Sequence, residues 1–255
     1  MVGVNTAAKS ASLFLVLVFV GSVSATGIVY AVSPLTLDGL GKETSCASGG
    51  YLPTCAAQSL TTTQGHDVIV LVVVDSFPND NIVISSIVDS SGLTFTLRAS
   101  YSPGAILWEY YARATSPLSS DNITVIFSGD VSGWLEIQAL AIHGANTKAI
   151  FDQNPSIPAT VPCPGLTCSA SIQTSTFDFM IASVAIGDGP SCGSPLTEGF
   201  LPPQGFTNIL YTGKMEVDYA VTATVHSNVV FDCNSDGYAL AIVVDAISFN
   251  GAFGK

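Results

Sequence analysis

Charge is what this chain has least of. Only 10% of its 255 residues are Asp, Glu, Lys or Arg, against roughly a quarter in an ordinary soluble domain. Seven of them are basic, and Lys9, Lys42, Arg98, Arg113, Lys148, Lys214 and Lys255 are scattered along the chain. No basic patch exists to release counterions from a phosphate backbone, and no polybasic segment exists to meet an anionic membrane. Nucleic acid is thereby excluded as a partner, and a membrane is reachable only through the N-terminal segment. Nineteen acidic residues leave a net charge of −12, which suits solubility and cation-rich surroundings. Helical periodicity is missing too: beyond residue 33 no stretch sustains an apolar repeat of three to four residues. No two cysteines have the spacing of a zinc knuckle. The histidines, His66, His143 and His226, stand far apart at expected strand ends and read as structural.

What is present starts with an export signal. Lys9 precedes the apolar run Leu13–Val20, which continues through small residues to Ala31. A charged start, an apolar stretch and small-residue exits at Val23-Ser24-Ala25 or Tyr30-Ala31 describe a cleaved signal peptide. Ser10 to Val32 is also long enough for an uncleaved membrane anchor, and it resembles the N-terminal helix of archaeal type IV pilins without the early acidic residue. In an exported chain six cysteines read as disulfides. Local spacing pairs Cys46 with Cys55 and Cys163 with Cys168, which leaves Cys192 and Cys233 to join at long range.

Hydrophobic residues make up 48% of the chain, and they fall into β-branched or alternating runs separated by turn residues, so the fold class is all-β. The expected strands include Asp67–Val74, Ile82–Asp89, Thr94–Ala99, Ile106–Ala114, Ile123–Phe127 and Trp134–His143. After a Pro-rich bridge come Phe177–Ile186, Gly205–Tyr211, Met215–Thr224, Asn228–Phe231 and Tyr238–Phe249. Val68–Val74 and Ala239–Val244 are apolar at nearly every position, as in strands covered on both faces.

The two halves resemble each other. Asp67-Val-Ile-Val matches Asp178-Phe-Met-Ile, and Tyr111-Ala112 falls opposite Tyr219-Ala220. Asn122-Ile-Thr-Val-Ile-Phe matches Asn228-Val-Val-Phe, and the turn Ser132-Gly133-Trp134 matches Asp236-Gly237-Tyr238. The expected layout is a signal peptide or anchor over 1–31, an N-terminal extension with a disulfide loop over 32–60, and an antiparallel, jelly-roll- or immunoglobulin-like sandwich over 61–250. Its halves are 61–150 and 169–250, joined by the bridge 151–168, and they stack face to face as one pseudo-symmetric sandwich. Two tandem immunoglobulin-sized domains are the alternative, with the bridge as linker.

Val88–Phe95 (VDSSGLTF), Trp108–Ala112 (WEYYA), Asn122–Val125 (NITV) and Ala141–Ala145 (AIHGA), in that order, resemble an uncharacterised repeat-type β-sandwich module of bacterial and archaeal secreted or surface proteins. The resemblance spans roughly Thr61 to Phe249. It implies a fold and a location rather than an activity.

Several motifs carry chemistry on paper. Asp232, Asn234 and Asp236, followed by Gly237, have the alternating oxygens that open a calcium loop. Val243 stands where that loop needs a bidentate Glu, so calcium is the one cofactor in view and a polar turn is its rival. Asp75, Asn79 and Asp80 form a vaguer oxygen cluster. Gly189-Pro-Ser-Cys-Gly193 matches a nucleophile elbow but lacks the following helix. Glu109, Glu216 and Asp218 lie on matching strands and would make a glycosidase pair if brought together; as strand residues turned to solvent they need no such role. Tyr101, Trp108, Tyr110, Tyr111, Trp134 and Tyr238 are either a sugar-stacking platform or packing. Asn122-Ile-Thr is an N-glycosylation sequon.

Export, disulfides, low charge and repeated sandwich halves point to a non-enzymatic structural or adhesive protein outside the cytoplasm. It would partner itself or other surface components, with a carbohydrate-binding module as the alternative and a secreted hydrolase after that. Ala31 to Leu40 loosely alternates in polarity and follows the export signal, as a strand donated to a neighbouring subunit would.

Overall fold

The computed structural model describes residues 34–42, 44–45, 52–54, 57–76, 82–101, 107–131, 135–163, 165–174, 177–188, 199–222, 226–232 and 238–249. The chain divides into residues 1–31, which lie outside these, and one compact unit, Val32–Lys255. Within the described residues every regular element is a β-strand, and every strand pairing is antiparallel.

Asp67–Asp75 (β5) explains the first half. All nine of its residues are buried, because both faces carry Val, Ile or Leu and each must be covered. Numbering the strands in chain order, β1 (Thr36–Leu40), β2 (Thr44–Ser45), β3 (Leu52–Thr54) and β4 (Gln58–Leu60) precede it. β6 (Ile84–Val88), β7 (Thr96–Tyr101), β8 (Leu107–Ala114), β9 (Asp121–Val131) and β10 (Leu135–His143) follow. A large sheet runs β1-β10-β5-β8-β7, with β2 also on β10, while β9 pairs with β3, β4 and β6 in a smaller one. Ile69, Leu71 and Val73 of β5 meet Ile123, Val125 and Phe127 of β9 in the core of this half.

The second half repeats the plan. It comprises β11 (Ala159–Pro162), β12 (Thr167–Ser171), β13 (Asp178–Asp188), β14 (Thr207–Tyr211), β15 (Met215–Thr222), β16 (Asn228–Asp232) and β17 (Tyr238–Ser248). Its large sheet runs β11-β17-β13-β15-β14, and β12 pairs with β16. The repeat extends to single residues. Asp67 pairs with Ala114 and Val70 with Tyr111, just as Asp178 pairs with Thr222 and Ile181 with Tyr219. Even the irregularities match: β7 shifts register between Leu97 and Ala99, and β14 between Asn208 and Leu210.

The two large sheets pack against each other. Val68, Val70, Val72 and Val74 from the other face of β5 meet Phe179, Ile181, Val217, Val243 and Ile247 in a shared core. β7 lies across from β11 and β17, β8 from β17, and β5 from β13. The expected face-to-face contact of the halves is therefore one layer boundary among three. Each half carries a second, smaller sheet on its outer side, because the apolar outer faces of β5 and β13 would otherwise meet water.

The Pro-rich bridge is structured. Phe151 pairs with Ile247, and β11, within the bridge, pairs with β17 over Ala159–Pro162. Pro162 is tolerated there because β11 is the sheet edge and one side of it needs no donor.

Cys163 and Cys168 are bonded, with Cα atoms 5.2 Å apart, tying β11 of the large sheet to β12 of the small one. Cys46, Cys55, Cys192 and Cys233 lie outside the described residues. Their chain neighbours are informative. Ser45 pairs with Glu136 of the large sheet and Thr54 with Ile126 of the small one, the same two layers. Leu201 bridges Asp232, one residue before Cys233. Non-reducing peptide mapping of the exported protein is expected to return Cys46–Cys55, Cys163–Cys168 and Cys192–Cys233. Replacing Cys163 and Cys168 with Ser should cost about 2 kcal/mol, the loop-closure value for so short a loop, read as a lower melting temperature.

Candidate functional site

Two buried acidic clusters stand out, one between the halves and one inside the second half. Both come from residues expected to face solvent, and the structure overturns that expectation: Glu109 is 1% exposed, and Glu216 and Asp218 are fully buried. They are also kept apart. Glu109 pairs across with Val72 and so shares the face of β8 turned to the other half. Glu216 and Asp218 pair with Val184 and Ala182, whose side chains belong to the interior of the second half.

Between the halves, Arg98 makes a bidentate pair with Asp245 through Nε–Oδ2 at 2.7 Å and Nη2–Oδ1 at 2.9 Å. Its guanidinium lies 3.9 Å from the ring centroid of Phe151, a cation–π contact, and Tyr111 meets the same ring edge-on. Glu109 completes the group. Burial, reinforced by the charge of Asp245, pushes its carboxyl well above the ordinary range against the pull of Arg98, which favours the neutral acid. The internal repeat shows what this trio replaces. Register places Arg98 opposite Ile209, Glu109 opposite Val217 and Asp245 opposite Leu140. The same three positions of the repeat are thus polar in one set and aliphatic in the other.

Glu216 and Asp218, two apart on β15, point the same way. Phe200 N donates to Glu216 Oε2 at 2.6 Å, and Asn208 Nδ2 donates to Asp218 Oδ1 at 2.8 Å. Gly199, at φ +99°, lets the chain pass so close that a Cβ there would come within 2.6 Å of Glu216 Oε2. Burial and the neighbouring Asp218 push Glu216 up to about 9. Burial also raises Asp218, to about 6, against the Asn208 and Glu216 hydrogen bonds. The pair lies beneath Gly199 and Phe200, where burial favours the protonated form of Glu216. A proton-sharing pair is also how acid–base enzymes hold carboxyls, but here both groups are enclosed. The repeat sets them opposite Trp108 and Tyr110, which face the core of the first half.

The remaining candidates disperse. Trp108 is buried against Phe127, Tyr110 half-buried on that same core, and Tyr101 and Tyr111 half-buried on the opposite face of their sheet, so these four form no single row. Trp134 and the side chain of Tyr238 lie outside the described residues. An open cleft of about 460 Å³ is lined by Ser91, Leu93, Thr94, Thr96, Tyr111 and Arg113, among others. Asn122 is exposed on β9. Asp232 ends β16, with Oδ1 accepting from the Thr167 hydroxyl at 2.7 Å; Asn234 and Asp236 lie outside the described residues, as do Asn79, Asp80 and Gly189–Gly193. Asp75 is buried at the end of β5. Among the described residues no group of three His, Cys, Asp or Glu is placed to hold a metal ion. His143 meets Asp67, and His226 packs on Phe206 at 5.7 Å.

No family model matches the chain, and no curated protein or solved structure matches it.

Two outcomes follow for stability. Glu109, Glu216 and Asp218 keep in the folded state a proton that the unfolded chain releases in the ordinary carboxyl range. Their contribution is full below that range and is lost as pH rises, through about 6 for Asp218 and about 9 for Glu216. Each retained proton costs ~1 kcal/mol per pH unit across its window. The melting temperature should therefore be higher near pH 5 than near pH 9, and Glu216→Gln should flatten the alkaline part of the curve. Arg98→Met, leaving Asp245 buried and unpaired, should destabilise by about 3 kcal/mol. Arg98→Ile with Glu109→Val and Asp245→Leu, which copies the aliphatic side, should recover most of that loss in chemical denaturation.

Proposed function

We propose that this chain is a non-enzymatic structural or adhesive protein of the cell surface or extracellular space, exported through its N-terminal segment and able to polymerise by strand exchange. In this reading it is a repeat-type sandwich module of the jelly-roll or immunoglobulin-like kind, partnered by copies of itself and by other surface components. Asn122 is its glycan acceptor, and the Asp232 turn is a calcium ligand set.

The observation that carries the proposal is the setting of β1. It is the first described strand, among the described residues β10 is the one strand it pairs with, and all five of its residues are exposed or half-buried. The segment expected to be donated to a neighbour is thus seated on its own sheet. An identical strand from a second copy can take that seat with the same contacts, so exchange exchanges like for like. Because an N-terminal strand leaves without threading the chain, head-to-tail exchange builds a fibre that need not close.

Deleting residues 32–39 from the mature protein should leave a folded monomer and abolish fibres seen by electron microscopy. Fibres undiminished by the deletion, or a full-length protein monomeric at high concentration, would overturn the proposal. The cleft beside Tyr111 and Arg113, rich in hydroxyl groups and of ligand size, favours carbohydrate binding as the second reading. Glycan-array binding lost in Arg113→Ala would support it.

A further inference from the structure

Acidic residues outnumber basic ones nineteen to seven in this chain, yet the open cleft of the first half inverts that balance. Its lining includes Arg113 and no carboxylate, and the hydroxyls of Ser91, Thr94, Thr96, Tyr111 and Thr115 share it. Arg113 is exposed on β8, directly across from the buried Val68 of β5. Residues paired across a ladder share a face, so Arg113 stands where the layer boundary between the halves opens to solvent. Among the described residues Arg113 enters no ion pair, and no protein group there hydrogen-bonds its guanidinium or the five hydroxyls.

The fold does not demand a cation at this place. Val68 pairs with Arg113 as Phe179 pairs with Val221, so the repeat carries Val where Arg113 stands, and that Val221 is 42% exposed. The wall of the cleft before β7 is held by its own hydrogen bonds. Asp89 Oδ1 accepts from Ser91 N at 2.8 Å and Leu93 N at 3.0 Å, and Asp121 Oδ1 accepts from Ser90 N at 3.0 Å and the Ser90 hydroxyl at 2.7 Å. Gly92 turns the chain at φ +78°, with nothing within 4 Å of where a Cβ would stand. A wall already fixed loses little further freedom when a ligand binds.

The chemistry of the lining selects its ligand. A guanidinium presents a planar fork that matches an oxyanion with two free oxygens, and one such cation balances one negative charge, less than a phosphate monoester carries near neutral pH. Hydroxyls both donate and accept, as the hydroxyls of a sugar do. We propose that this cleft binds an acidic saccharide, with Arg113 holding a sugar-borne oxyanion, a uronate carboxylate or a sulfate ester, and with Ser91, Thr94, Thr96 and Thr115 meeting the sugar hydroxyls. This names the ligand class of the carbohydrate-binding reading above and rests on it. Charges more than about 8 Å away are largely screened at physiological salt, so the groups lining the cleft outweigh the net charge of −12.

A glycan array of neutral, uronate-bearing and sulfated oligosaccharides, probed with the mature full-length protein at physiological salt and followed by calorimetric titration, tests this. Acidic sugars should bind, and their uncharged counterparts, the uronate methyl ester or the desulfated sugar, should bind about tenfold more weakly, the loss expected for a charge-assisted contact. Arg113→Gln and Arg113→Val should each lower acidic binding to the level of the uncharged counterpart and leave that counterpart unaffected, with an unchanged melting temperature. Thr96→Val should weaken both alike. Arg113-dependent binding confined to uronates assigns the carboxylate, and binding confined to sulfated sugars assigns the sulfate. Equal binding of charged and uncharged forms, or acidic binding that survives both Arg113 variants, would overturn the acidic ligand and leave the carbohydrate reading standing. A protein that binds no sugar on the array would sink that reading itself.

Discussion

A strand apolar on both faces is the constraint from which the rest of this structure follows. β5 offers Val68, Val70, Val72 and Val74 on one side and Ile69, Leu71 and Val73 on the other, and β13 repeats the demand with Phe179 and Ile181 against Met180 and Ala182. Burying each such side chain stabilises by roughly 1.5–3 kcal/mol, so neither face can be left to water. One face of each large sheet satisfies the other, and the small sheets close the outer faces. The layering is the least number of sheets that covers four apolar surfaces.

Apolar stacking of two similar sheets is permissive, since β-branched side chains of like size pack in more than one registry. The trio of Arg98, Glu109 and Asp245 supplies discrimination where the repeat would otherwise supply only Ile, Val and Leu. A slip of the sheets would bury Arg98 and Asp245 without each other, a far larger cost than the loss of a few aliphatic contacts. The bulge that turns Arg98 into the interface has a twin at Ile209, so the backbone accommodation is inherited from the repeat. Only the side chains differ.

Much of this was readable from sequence and some was not, for identifiable reasons. Unbroken apolar runs marked β5 and β17, and the paired Tyr-Ala dipeptides marked the repeat down to its register. β11 was hidden by Pro158 and Pro162, which signal a linker until an edge position excuses them. Glu216 and Asp218 were misplaced because Met-Glu-Val-Asp-Tyr-Ala alternates as a half-exposed strand does. In a strand covered on both faces alternation no longer says which side is wet. The signal that could have placed them was present: aligning Tyr219 with Tyr111 sets them opposite Trp108 and Tyr110, positions of core character.

The same burial decides what the acidic composition means. At least ten of the nineteen acidic residues are buried, while the whole chain has seven Lys and Arg, of which Arg98 pairs with the buried Asp245. Cations are fewer than the buried carboxyls, and burial raises Glu109, Glu216 and Asp218, so protons neutralise part of this interior. An interior neutralised by protons gains from mild acid, where a conventional ion-paired protein begins to lose its salt bridges. With burial raising Asp218 to about 6 and Glu216 to about 9, the protons that neutralise them are held most firmly in mild acid, and that is the setting in which this interior is most secure.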